Sequence, residues 1–333
     1  VKAIVINRFG GPEVFEPAEV PTPELRPGHV LVRVAASSVN PIDCKIRSGA
    51  VTAVAPEFPA VLHCDLAGTV EALGPGVTCF KPGDAVYALA GGIKGHGGAL
   101  AELMLVDADL LALKPESLSL AEAAALPVAA VTAWEAVVER AAVRPGRRVL
   151  VHGGAGGVGH MALQLARVAG AVVHTTVSTS EKAEIARSLG ADVTIRYREK
   201  TVEQYVEQHT GGRGFDVVID TVGGDVLTRS LQAARAGGTV VTIAARSTQD
   251  LTPVHGKGLT LHAVLSLLPL LTGEDRGPQG RILTEVARLI DAGRIRPLID
   301  PSHFPFSRVG EAHAHLEEGR AVGKIRLTAD FAD

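Results

Sequence analysis

The sequence predicts an α/β protein in which a β-rich domain precedes a doubly wound parallel-sheet domain. Three observations carry this reading. The 333-residue length is about twice that of a usual single domain. Up to about residue 115, short alternating apolar segments are broken by Gly and Pro. From Ser119 onward, helical periodicity alternates with short, uniformly apolar runs.

In the first part, residues 29–34, 68–73 and 84–87 read as strands, separated by Gly/Pro turns at 10–12, 26–28, 74–76 and 81–83. A helix is expected over 119–126, where Ser119 and Glu122 have capping-box spacing. Strand 148–152, helix 159–169, strand 171–177, helix 181–189 and strands 192–195, 215–220 and 238–244 follow. Strands of a buried parallel sheet are expected to be this uniformly apolar. The predicted domains are residues 1–117, 118–266 and a return segment, 267–333, that completes the first domain with a helix over 281–292 and a strand over 324–327. Residues 258–265 read as one more strand, an apolar edge that invites pairing with a second copy, so a homodimer is expected.

Composition narrows the function. A net charge of −3 and the lack of Lys/Arg runs interleaved with aromatics argue against nucleic acid as a partner. The longest apolar stretch, 259–271, is interrupted by His262, Ser266 and Pro269 and falls short of the ~20 residues a bilayer requires. The opening Val1-Lys2-Ala3-Ile4-Val5 reads as a strand rather than a targeting segment. The three cysteines, Cys44, Cys64 and Cys79, read as free thiols of a reducing compartment, so the expectation is a cytoplasmic protein with a small-molecule partner.

The segment Gly154-Ala155-Gly156-Gly157-Val158-Gly159 has G-x-G-x-x-G spacing between a predicted strand and a predicted helix. Gly154 permits the tight turn, Gly156 leaves room for a pyrophosphate, and Gly159 lets helix and strand approach, while the helix N-terminus offers amides to the anion. An NAD-selective site carries an acid ~20 residues on, at the end of the second strand. Here that strand ends Thr176-Val177-Ser178, with Lys182 on the next helix and Arg196, Tyr197 and Arg198 after the third strand. Hydroxyls and cations suit the 2′-phosphate of NADPH.

Elsewhere in the chain stand residues 9–14 (FGGPEV), 40–49 (NPIDCKIRSG), 65–68 (DLAG), 125–127 (ALP), 132–134 (TAW), 189–192 (LGAD) and 220–224 (DTVGG). With the glycine loop, this set resembles the quinone oxidoreductase (zeta-crystallin-like) group of the medium-chain dehydrogenase/reductase superfamily over essentially the whole chain. The resemblance implies a GroES-like catalytic domain, a Rossmann domain and an active site in the cleft between them. It also implies that Thr132 lies near the nicotinamide, that the glycine loop holds the pyrophosphate, and that Ser178, Lys182 and Tyr197 meet the 2′-phosphate, with Arg320 as a further phosphate contact. The likeness points to a dimer as well. Where many members have Thr-Tyr after Asn-Pro-x-Asp, this chain has Cys44-Lys45.

Zinc alcohol dehydrogenases share the architecture, and their three catalytic ligands match Asn40, Cys64 and Val128. Asn40 is a poor ligand and Val128 is none, so no metal is expected. Without a Lewis acid, the accessible chemistry is hydride transfer to an electrophilic quinone, enone or alkenal, with charge stabilised on the carbonyl oxygen. Asn40 and Lys45 are the candidate donors, Asp43 the residue that orients their loop, and Tyr87 a weaker proton donor. The same residues also suit a turn-stabilising Asn and Asp and a solvated lysine. A zinc-type dehydrogenase and a non-catalytic NADPH-binding protein stay open as alternatives.

Overall fold

The computed structural model describes residues 1–274 and 276–331. It divides into two compact units, one of residues 1–131, 267–293 and 299 onward, the other of residues 132–266 and 294–298.

The first unit is built around the strand His29–Ser38, whose alternation His-Val-Leu-Val-Arg-Val buries one face. It lies within a seven-stranded sheet ordered Ile299–Pro305, Lys324–Thr328, His29–Ser38, Asp65–Leu73, Ala85–Leu89 and Leu111–Leu113, and Leu103–Asp107 also pairs with His29–Ser38. The C-terminal strand Lys324–Thr328 runs antiparallel to the end of His29–Ser38, with Arg326 opposite Ser38. Val34 stands opposite Gly68, where any Cβ would come within 2.2 Å of the Arg33 carbonyl oxygen. Phe15–Glu19, Lys2–Ile6 and Ala60–Val61 form a smaller sheet. The helix Pro41–Arg47 starts two residues after the central strand, with Pro41 in its first turn.

The second unit is a six-stranded parallel sheet ordered Val193–Arg196, Val172–Val177, Arg148–His152, Phe215–Asp220, Ala234–Thr242 and Thr260–Ala263. This is the Rossmann-type arrangement, and its central strands are buried on both faces, which is why they read as apolar runs. Leu150, Val218 and Val240 from three strands join Tyr205, Phe215, Leu227 and Leu231 in one core cluster. The helices Gly159–Val168, Ser180–Ser188, Val202–Thr210 and Asp225–Ala233 connect the strands. The expected helix over 119–126 is instead a short helix, Leu120–Ala123, followed by a new one, Pro127–Trp134. Pro127 has no amide to donate, so the first helix cannot continue through it.

Candidate functional site

The glycine loop leaves the C-terminal end of Arg148–His152 and enters the helix Gly159–Val168. Gly153 has a positive φ of 75°. A Cβ on Gly154 would lie 2.1 Å from Thr175 Oγ1, and one on Gly159 would lie 2.1 Å from the Gly153 carbonyl oxygen, so both positions exclude a side chain. Gly156 differs. Only the Gly153 oxygen, at 3.1 Å, stands within 4 Å of its would-be Cβ, and the residue is exposed. Open space over a glycine at a helix N-terminus fits an approaching pyrophosphate. Thr176 Oγ1 accepts from the Gly153 amide at 3.2 Å and lies 3.1 Å from His152 Nδ1, tying the loop to the neighbouring strand.

Ser178 follows directly on the strand Val172–Val177, and Val177 pairs with Arg196, so Ser178 and Tyr197 stand at adjacent strand ends. Thr179 caps the helix Ser180–Ser188 by accepting from the Lys182 amide at 3.2 Å. Arg196 donates to Ser180 Oγ at 2.9 Å, and the Arg198 guanidinium lies 6.0 Å from the Tyr197 ring. One strand-end cluster thus gathers hydroxyls and the basic side chains of Arg196 and Arg198, with Lys182 in the first turn of the adjoining helix, Glu199 paired with Arg196 at 2.7 Å, and Tyr197 and both arginines exposed. Thr132 is buried and donates to Ser266 Oγ at 2.9 Å. Arg320 belongs to the other unit, where Glu318 engages its guanidinium at 2.6 Å.

The first unit holds a buried polar network around Asn40. Asn40 Nδ2 donates to Asp65 Oδ2 at 2.8 Å, and its Oδ1 accepts from the Lys324 ammonium. Lys324 Nζ also donates to the Val39 carbonyl at 3.2 Å and to Asp65 Oδ2 at 3.2 Å. Asp65 accepts further bonds from Ser38 Oγ and, at 2.7 Å, from the Val128 amide. Asp43 closes the start of the helix by accepting from the Asn40 amide at 2.7 Å. Burial, and then the charge of Asp65, push the Asp43 carboxyl up to about 7. The same two causes, burial first, together with Asp43 push the Cys64 thiol well up. Next to this network His63 Nε2 meets His313 Nε2 at 2.9 Å, and Ser37 Oγ lies 3.2 Å from His63 Nδ1.

Asn40 and Asp43 are therefore brought together, whereas Lys45 stands exposed in the last turn of its helix, outside the network. The lysine in the network is Lys324, which sequence reasoning missed because its partners lie up to 285 residues away. A lysine opening a strand otherwise rich in apolar residues was the one available signal. Tyr87 is a core residue and no proton donor. Its hydroxyl donates to the Leu283 carbonyl at 2.5 Å, and burial raises its ionisation further from the neutral range.

Two family models match the chain, an alcohol dehydrogenase GroES-like domain over residues 26–116 and a zinc-binding dehydrogenase over 189–327. An NADPH-dependent alkenal/one oxidoreductase from Arabidopsis thaliana is 34% identical over 98% of this chain and 78% of its own length. The chain belongs to the medium-chain dehydrogenase/reductase superfamily. It is an oxidoreductase of that superfamily related to quinone and alkenal/one reductases. An alcohol dehydrogenase superfamily protein from Novosphingobium aromaticivorans superposes with a TM-score of 0.94 at 39% identity, covering 98% of this chain and 100% of the other. The Escherichia coli quinone oxidoreductase complexed with NADPH gives 0.87 at 29% identity, over 98% and 100% of the two chains.

Membership raises the question of a catalytic zinc, and the side chains here do not fit one. Val128 offers no donor atom, and the carbonyl oxygen of Asn40 already receives the Lys324 ammonium. A divalent cation beside that ammonium would meet like charge. Among the described residues no group of three or more His, Cys, Asp or Glu side chains is placed to hold a metal. No helix among them is long and apolar enough to cross a membrane.

Proposed function

We propose that this chain is an NADPH-dependent reductase of quinones or of activated carbon–carbon double bonds in enones and alkenals, working without zinc. The observation that carries the reading is the Asn40–Asp65–Lys324 network, which puts a fixed amide donor and a fixed cation where a zinc dehydrogenase needs metal ligands. When bound, NADPH supplies a hydride from its nicotinamide C4. The chain's own residues do the rest. Gly154 to Gly159, with the intervening Ala155, Gly157 and Val158, cradle the pyrophosphate. Ser178, Lys182 and Tyr197 receive the 2′-phosphate, Arg320 is a further phosphate contact, and Thr132 steadies the nicotinamide.

Asn40 donates a hydrogen bond to the acceptor's carbonyl oxygen, where negative charge gathers as hydride reaches the conjugated carbon. Asp43 holds the loop that presents it. NADPH as cofactor is supported by the absence of an acid at Ser178 and by the relatives whose names specify it. An exposed edge strand, Thr260–Ala263, supports a homodimer formed by pairing with its copy.

The test is cofactor oxidation over a panel of quinones, enones, alkenals and simple alcohols, with NADPH and NADH compared. Turnover of the conjugated acceptors with NADPH preferred, undiminished by a chelator, is the expected outcome. Tighter NADH binding, or activity lost to a chelator and restored by zinc, would refute the corresponding half of the proposal. A sedimentation mass of one chain at micromolar concentration would refute the dimer.

A further inference from the structure

We propose that Lys324 is a positioning residue of the reductase site, whose ammonium fixes the Asn40 carboxamide in one orientation and strengthens it as a donor to the acceptor's carbonyl oxygen. The inference rests on the reading of the chain as a reductase of conjugated carbonyl acceptors and deepens it.

The geometry leaves the carboxamide one orientation. With Oδ1 on the Lys324 ammonium and Nδ2 on Asp65 Oδ2, both ends of the amide are matched in charge. Turned over, the amide hydrogens would face the ammonium and its oxygen the carboxylate. Both repulsions would arise where solvent screens little, because Asn40 and Lys324 are each 3% exposed and Asp65 is fully buried.

Orientation is half of the effect, and polarisation is the other. Donation into Oδ1 draws electron density from the amide nitrogen, so the N–H bonds at the far end become better donors. One of the two Nδ2 hydrogens goes to Asp65, and the other, which the Asp43 carboxyl also draws on, is the one assigned to the acceptor's oxygen. During reduction the acceptor takes a hydride, with its two electrons, at the conjugated carbon. The negative charge that arrives on its oxygen is held by that hydrogen bond until a proton from water completes the product, leaving NADP⁺.

Lys324 itself has nothing left to offer the acceptor. An ammonium has three hydrogens, and these are matched by the Val39 carbonyl, Asn40 Oδ1 and Asp65 Oδ2. It acts through Asn40. The C-terminal strand that carries it is held against the central strand by the Arg326–Ser38 pairing, so the return of the chain into this unit delivers the cation.

The experiment is a double-mutant cycle on Asn40 and Lys324, read by steady-state kinetics with NADPH and either 1,4-naphthoquinone or 3-buten-2-one. Lys324→Met should lower kcat on the order of 100-fold while leaving the KM for NADPH near its wild-type value. Lys324→Arg, which keeps charge and donors, should recover most of the loss. Because the lysine works through the amide, Asn40→Ala combined with Lys324→Met should be no slower than Asn40→Ala alone.

Wild-type kcat in Lys324→Met, or losses that multiply in the double variant, would overturn the inference. Should Lys324→Met not fold, Lys324→Gln, which keeps a donor without the charge, takes its place in the cycle. If the wild-type chain reduces neither acceptor, the functional reading fails. The positioning claim is then decided by the Asn40 side-chain amide protons in NMR. Two distinct, slowly exchanging signals in the wild type that merge or broaden in Lys324→Gln uphold it, and unchanged signals overturn it.

Discussion

At the scale of single residues, chemistry within reach of a short motif differs from chemistry assembled across the chain. Asn40 and Asp43 sit three residues apart around Pro41, and the hydrogen bond from the Asn40 amide to Asp43 is the local closure that such spacing favours. Lys45 belongs to the same motif but points to different behaviour. It is exposed, and Asn40 is engaged by another lysine. Lys45→Ala is therefore expected to keep turnover on an enone within about twofold of wild type, since an exposed charge near a site contributes little. A loss comparable to that of Asn40→Ala would restore Lys45 as a donor. The contact between Asn40 and Asp43 was thus legible in the motif, whereas the cation beside Asn40 was not. Nothing in residues 40–49 signals that position 324 supplies the charge, and only the pairing of the last strand with the central one reveals it.

Elements were most legible where one physical demand fixed them. The strands Arg148–His152 and Phe215–Asp220 have apolar centres, Val149 to Val151 and Val217 to Ile219, because both faces of the sheet are covered there, and the sequence reading placed both at the observed bounds. It was least informative where bonding departs from regular periodicity. After Trp134 the chain makes a π-helical segment, Glu135–Arg140, a bonding pattern that side-chain spacing does not announce. The strand Ala234–Thr242 begins four residues earlier than residues 238–244 suggest, because Ala234 pairs with Phe215 before a register shift. The glycine loop lies between these cases, and its glycines carry separable duties. Gly159→Ala would drive a Cβ into the Gly153 carbonyl, backbone against backbone, and should cost about 1–3 kcal/mol of stability as well as cofactor binding. Gly156→Ala meets only one atom at 3.1 Å and should leave the thermal midpoint nearly unchanged while weakening NADPH binding at least tenfold. Thermal unfolding and fluorescence titration of both variants separate the two roles. Equal NADPH affinity in Gly156→Ala and the wild type would remove that residue from the pyrophosphate site.

For the molecule as a whole, buried ionisable groups set the response to pH, and they pull in opposite directions. Burial holds the His63 imidazole down to about 3, and burial with the neighbouring His63 holds His313 well below its ordinary value. The unfolded chain protonates these rings near 6.5 and the folded chain does not, so their contribution is intact above 6.5 and declines as pH falls below it. Asp43 behaves in the reverse sense. Its folded value of about 7 lies above the 3.8 of the unfolded chain, so the folded state holds an extra proton between those limits and gains stability as pH falls from 7 toward 3.8. Glu135, raised to about 7 mainly by burial, adds to the same side. Acidification from pH 7.5 to 5 is therefore partly offset in the wild type, and removing one carboxyl should expose the imidazole contribution. Asp43→Asn keeps the shape and an acceptor oxygen but cannot take the compensating proton. Over that interval it is expected to lose about 2 kcal/mol more stability than the wild type, the amount that linkage assigns to a carboxyl shifted this far. Urea unfolding of both proteins at the two pH values measures the difference directly. An identical pH dependence in the two would mean that Asp43 is ionised in the folded chain, with Lys324 then balancing two carboxylates instead of one.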